Sequence, residues 1–272
     1  MSSNIFDIRT SDNALSTLTN LSGVSKEIWE KYLGHEQEYE YVDDLVEDVI
    51  RSHGHIPNSF MDFEFIFFHV TTSANGCKSF LQTGILDLRN TYLCPQSELR
   101  QFLDAHDIII DLSKHILTHA GNKYNIEFGE CPKSNTKEYF CWSVGRKFYY
   151  DFSICGFLSV CDIIPYGGLV HTRPEFLMNM DKLLNLSLSR EWADTHTTYQ
   201  VTAKVPGDMI IFNGDDDWND TKRVIYYLTK AYDTAFGTPR EEILLIKDEH
   251  QIPPQNIIDI SPFTNWQKCN FL

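Results

Sequence analysis

Between positions 63 and 70 the chain reads Phe-Glu-Phe-Ile-Phe-Phe-His-Val, an almost unbroken run of apolar and aromatic side chains. Such a run predicts a strand covered on both faces, so the rest of the molecule must supply a layer on each side. With 272 residues there is chain enough to do so. Folding at this length removes roughly three-quarters of the unfolded surface from water, so neither disulfides nor a structural metal are required. The length suits one large domain or two modest ones.

Around that strand the pattern divides unevenly. Residues 1–58 read as a helical segment packed on the main domain, and 59–272 as that domain. Ser25 can cap a short helix through Lys31. A second helix from Glu38 to Ser52 sets Val42, Leu45, Val46, Val49 and Ile50 on one face. After the strand, Thr71-Thr72-Ser73 read as capping residues of a helix over 74–83, stopped by Gly84 and followed by a short extended piece, Ile85-Leu86-Asp87-Leu88. Ser97–Phe102 and Asp104–His119 read as helices. Tyr139–Tyr150 reads as two strands around Gly145, and Ser153–Cys161 is open between strand and helix. Further on, the pattern predicts a helix from Arg173-Pro174-Glu175 to Leu184 and strands over Thr197–Val205 and Met209–Phe212. A helix over Thr221–Phe236 follows, then strands over Glu242–Ile246 and Ile257–Ile260. Helices first and strands later make the class α+β.

Charge narrows the partners. Thirty-eight acidic residues against 23 basic give a net charge of -15. Without a cluster of Lys and Arg to neutralise phosphates, nucleic acid is disfavoured, and an anionic membrane surface is repelled. A protein or small-molecule partner fits better. Seven cysteines, an odd number without a C-x-x-C pair, suggest reduced thiols. No apolar stretch nears the roughly 20 residues of a membrane span, and no signal peptide is visible. The expected compartment is the cytoplasm.

Several groups are candidates for chemistry. His69 ends the apolar strand and is followed by Val70 and the hydroxyls of Thr71 and Thr72, a place from which side chains reach a cleft, although a strand-end histidine is also a common structural residue. Glu241 and Glu242 stand just before an apolar strand, as a solvated strand entry or as a carboxylate held at a strand mouth. His115 and His119, four apart on the helix expected there, have the spacing of a metal pair but lack an accompanying Glu. The acidic loop Asp215–Asp217 lacks a calcium-loop spacing. The segment from Tyr166 through Gly167, Gly168 and Arg173 to Glu175 is a Gly-rich turn into a helix, either a plain turn or a grip for phosphate through Arg173.

The order of parts resembles the ADP-ribosyltransferase fold, in the branch whose site is written His, Tyr, Glu. Residues 67–88 (FFHVTTSANGCKSFLQTGILDL) are similar to that family's first block, a strand ending in His, a helix, a Gly stop and a short apolar strand. Residues 241–260 (EEILLIKDEHQIPPQNIIDI) are similar to its ending, a Glu directly before an apolar strand. The resemblance implies a split, mixed or antiparallel sheet and NAD as substrate. It implies that Glu242 stabilises charge on the ribose, with Glu241 as its rival. His69, assisted by Thr71, would bond the adenosine-side ribose, and Tyr150 would stack on nicotinamide, with Tyr149 and Tyr92 as competitors. Transfer to a protein or other macromolecule in a bacterial or phage conflict, or hydrolysis of NAD by water, is the implied activity. A non-catalytic protein that uses the same scaffold to bind a host or phage protein is the alternative.

Overall fold

The apolar run forms β2 (Glu64–Ser73), which lies near the middle of the main sheet in a computed structural model. The structure describes residues 4–159, 171–214, 217–237 and 240–263. Residues 166–170 of the Gly-rich turn and Asp215 and Asp216 of the acidic loop lie outside them. Neighbours in the sheet run in the order β10 (Ile257–Pro262), β7 (Thr197–Pro206), β2, β6 (Cys155–Ser159), β9 (Glu242–Ile246), β8 (Ile210–Ile211). All these pairs are antiparallel, and the short β1 (Ile5–Phe6) joins the start of β2 in parallel. The class is α+β.

β2 extends three residues beyond the end of the apolar run. Thr71, Thr72 and Ser73 continue the ladder opposite Tyr199, Thr198 and Thr197, so they are strand residues and not helix caps. β-branched threonines suit a pleated surface, and β7 supplies partners for every one of them. The helix expected over 74–83 contracts to a single turn, α4 (Phe80–Thr83), which ends at Gly84 with φ +77° as foreseen.

One face of the sheet carries the larger core. Phe65, Phe67, Val201, Ala203, Val205, Leu244 and Ile246 pack there beneath α1 (Ser11–Ser22), α3 (Val42–His53) and α10 (Asp220–Phe236). The N-terminal residues thus share this core instead of forming one of their own. Leu45, Val46, Val49 and Ile50 of α3 are buried, and the helix keeps Asp43 and Asp44 in its first turn and Arg51 in its last, matching its dipole. The short α2 (Lys26–Lys31) buries Trp29. Truncating one of the core phenylalanines costs about 3–5 kcal/mol in comparable settings, so β2 anchors the molecule.

A second core lies between β2 and β7 in sequence. It is built from α5 (Leu88–Leu93), α6 (Glu98–Ala105), the meander β3 (Ile109–Asp111), β4 (Ile116–His119) and β5 (Asn122–Asn125), then α7 (Lys137–Tyr149), α8 (Glu175–Leu184) and α9 (Leu188–Thr195). Here two expectations fail. Residues 109–119 are a hairpin and not a helix: Asp107, His115 and Ala120 adopt positive φ and turn the chain, and β-branched isoleucines take the strands. Residues 139–150 are a helix and not two strands. Thr136 caps α7 by accepting from the Tyr139 amide, and Gly145 lies within the helix where it touches β5's exit. A Cβ at Gly145 would sit 1.8 Å from the Ile126 carbonyl oxygen, so the glycine records close packing and not a turn.

Candidate functional site

The two cores meet along the end of β2 and leave a cavity of about 270 Å3. Its wall takes Cys77 and Ile85 from the larger core and Leu99, Phe176 and Trp192 from the smaller. A mostly apolar cavity with a few converging polar groups, set between two packed units, is the usual form of a small-molecule site. His69, Thr71 and Ser73 alternate along β2, share a face of the strand, and all line it.

His69 is partly buried. Its Nδ1 lies 2.7 Å from the Cys155 carbonyl oxygen on β6. Removal from water lowers its pKa below the ordinary histidine value, only partly offset by that bond. The ring is therefore neutral at pH 7, with Nδ1–H donating to the carbonyl and Nε2 left as an acceptor. Such an atom suits a ligand hydroxyl. The Cys77 thiol, also on the wall, is pushed up to about 11 by burial, which keeps it protonated at neutral pH.

The polar end of the cavity is held by a network that the sequence did not mark. Glu98, first residue of α6, accepts from the Ser73 hydroxyl at 2.6 Å and from the Ala74 amide at 2.6 Å, and its Oε2 lies 3.3 Å from His196 Nε2. Burial pushes the Glu98 carboxyl up, but the bonds from His196, Ser73 and Ala74 outweigh it and hold the pKa below its ordinary value. The His196 ring stacks on Trp192 at 3.6 Å, and Trp192 Nε1 donates to the Thr72 hydroxyl at 2.7 Å. These partners come from β2, α6 and the end of α9, distant in sequence. No local motif could have revealed them.

Tyr150 caps the C-terminus of α7 instead of ending a strand. It is 63% exposed and stacks on Phe128 at 5.1 Å. It lines not the cavity but an adjoining groove of about 670 Å3, shared with Arg146, Phe157, Ile243 and Leu245. His69 lines both spaces and so stands at the partition between them. The competing tyrosines are occupied. Tyr92 is buried, donating to the Ile110 carbonyl and accepting from its amide, and Tyr149 donates to the Leu112 carbonyl.

Glu242 lies elsewhere on the sheet. Phe68, Phe157 and Ile243 form one row across β2, β6 and β9. His69 lies one residue to one side of that row and Glu242 one residue to the other, two strands away. Strand spacing puts their backbones on the order of 12 Å apart. Alternation gives them the same face, but Phe67 and Leu244, both buried in the larger core, stand between. The Glu242 carboxylate pairs with Lys230 of α10, and it lines neither the cavity nor the groove. Glu241 makes no pair among the described residues, and burial raises its pKa.

The histidine pair expected on a helix is not on one. His115 occupies a turn and His119 ends β4, and no cluster of three or more His, Cys, Asp or Glu among the described residues could hold a metal ion. Nor is any described helix long and apolar enough to cross a membrane. Comparison with family models, with curated proteins and with solved structures finds no match.

Proposed function

We propose that the protein is an NAD-dependent ADP-ribosyltransferase that binds its dinucleotide at the end of β2 and transfers ADP-ribose to a macromolecular target, most simply a protein. The observation that carries this reading is the cavity itself: His69 and Thr71, two of the three cofactor-side residues that the resemblance names, line one space at the junction of two cores. A neutral His69 with Nε2 as acceptor can take a ribose hydroxyl there. Tyr150 in the adjoining groove offers an exposed ring for a second planar group.

Breaking the nicotinamide–ribose bond develops positive charge on the ribose, which a nearby carboxylate stabilises. For Glu242 to serve, it must exchange Lys230 for the ligand, and the dinucleotide must reach across the Phe67–Leu244 packing. That requirement favours a second reading, in which the scaffold binds a partner protein without chemistry and the Lys230–Glu242 pair is structural.

Incubation of the full chain with NAD labelled on the adenylate and with a cell lysate tests both. Transfer of label that is lost in Glu242→Gln supports the enzyme. Transfer that survives Glu242→Gln removes Glu242 from the reaction. NAD binding without transfer or nicotinamide release leaves the second reading, and no NAD binding at all ends the first.

A further inference from the structure

Arg173 is the cavity residue for which the reading above has no use. It stands just before α8 and lines the cavity with Pro174 and Phe176. Its guanidinium is part-buried. It donates to the Thr172 hydroxyl at 2.8 Å and contacts the Met178 sulfur at 2.8 Å, both neutral atoms, and pairs with no carboxylate among the described residues. Three acids also line the cavity, and each is committed elsewhere. Asp87 accepts from the Asn90 amide and side chain as the cap of α5. Glu98 holds Ser73, Ala74 and His196, and Asp151 pairs with Lys147.

The Arg173 guanidinium thus meets only neutral atoms, while the cavity's three acids have partners of their own, so its donors are not taken up by a carboxylate among the described residues. Its planar fork of donors matches phosphate oxygens in two-point contacts. The whole chain carries a net charge of -15, so its long-range field repels anions, and an anionic ligand needs a local cation. His69 Nε2, on the same cavity, accepts from a hydroxyl. One space thus offers a cation for phosphate and an acceptor for sugar.

We propose that Arg173 is the phosphate-binding residue of the cavity and makes it select nucleotides that carry a phosphate or pyrophosphate over neutral nucleosides. The proposal deepens the NAD reading and rests on it for the ligand's identity, but the guanidinium without a carboxylate partner among the described residues is a feature of the cavity itself.

Calorimetric titration of the full chain with ADP-ribose, NAD, ADP and adenosine tests it, using wild type, Arg173→Gln and Arg173→Lys. The glutamine variant should weaken binding of the three phosphate-bearing ligands about ten- to a hundredfold, as expected for a lost charge-assisted contact. Adenosine binding should change less than about twofold, and the lysine variant should recover part of the loss. Unchanged melting temperatures show that the variants fold. Equal weakening of adenosine and ADP-ribose, equal affinity of wild type and Arg173→Gln for ADP-ribose, or no binding of any of the four overturns the proposal. If ADP binds in an Arg173-dependent way while NAD does not bind, the transferase reading fails and this one stands. If NAD binds equally well to Arg173→Gln, this one fails and the transferase reading stands.

Discussion

The cavity end of β2 and the mouth of β9 each present a carboxylate on the main sheet, and the two are held in opposite ways. At the cavity, Glu98 receives a hydroxyl, a backbone amide and a histidine, and the space beside it remains open. At β9, Glu242 receives one lysine beneath α10, with packed apolar side chains on the way to His69. A network that fixes a carboxylate next to a cavity holds the cavity wall in place. A single ion pair away from any described cavity serves docking of a helix on a sheet. The difference separates a carboxylate beside an open cavity from one held in a packed contact between helix and sheet.

Glu98→Ala should have the largest effect. It strands the Ser73 hydroxyl, the Ala74 amide and His196, and breaking such a part-buried network costs about 3 kcal/mol. Urea denaturation measures the loss, and ligand titration should show the cavity weakened as the segment after β2 comes loose. A smaller loss than that of Glu242→Ala would reverse the comparison.

The Lys230–Glu242 pair comes next. Both side chains are 17% exposed, so water screens them in part. A double-mutant cycle of Glu242→Gln and Lys230→Met should give a coupling of about 1 kcal/mol. A coupling near zero would show that Lys230 does not hold Glu242, and would make the carboxylate available to a ligand at little cost.

What the chain disclosed in advance follows the same division. β7, β9, α3 and α10 were legible because each buries one face against a single large core, and β2 because both its faces are covered; their apolar patterns carry those facts. The smaller core was misread where tertiary contact overrides local pattern. Gly145 looked like a turn because its close approach to Ile126 is made across the fold, and Ile108–Ile110 fitted a helical face as well as a strand. His69 and Thr71 stood out because of a conspicuous apolar run, which His69 closes and Thr71 follows, and both line the cavity. Glu98 and Trp192 were not, since a helix-start glutamate and an amphipathic tryptophan have ordinary local explanations, and only the folded chain brings them to Ser73 and Thr72.

His69 gives a pH test of the cavity end. Burial lowers its pKa, so below the ordinary value of about 6.5 the unfolded chain binds the proton more readily than the folded one. Its contribution is complete above that value and falls with pH below it, by at most about 1.4 kcal/mol per unit. His171, also lowered by burial and by Arg173, adds slope in the same sense, so the informative quantity is wild type minus variant. Unfolding free energies of wild type and His69→Gln at pH 7.5 and 5.5 should show a shallower loss in the variant. Parallel curves would mean that His69 titrates freely, exposed and not walled into the partition.

Tyr150 should give the smallest change in stability and for that reason the cleanest reading of the groove. Its ring is mostly in water, and its contacts are the Phe128 ring and the Arg146 guanidinium. Tyr150→Ala should alter unfolding free energy by less than about 0.5 kcal/mol. If the exposed ring stacks on nicotinamide, the same variant should weaken NAD about tenfold, the size of one aromatic stack, while ADP-ribose, which lacks that ring, binds as before. Equal affinities of wild type and variant for NAD would confine the ligand to the Arg173 side of His69 and leave the groove to another partner.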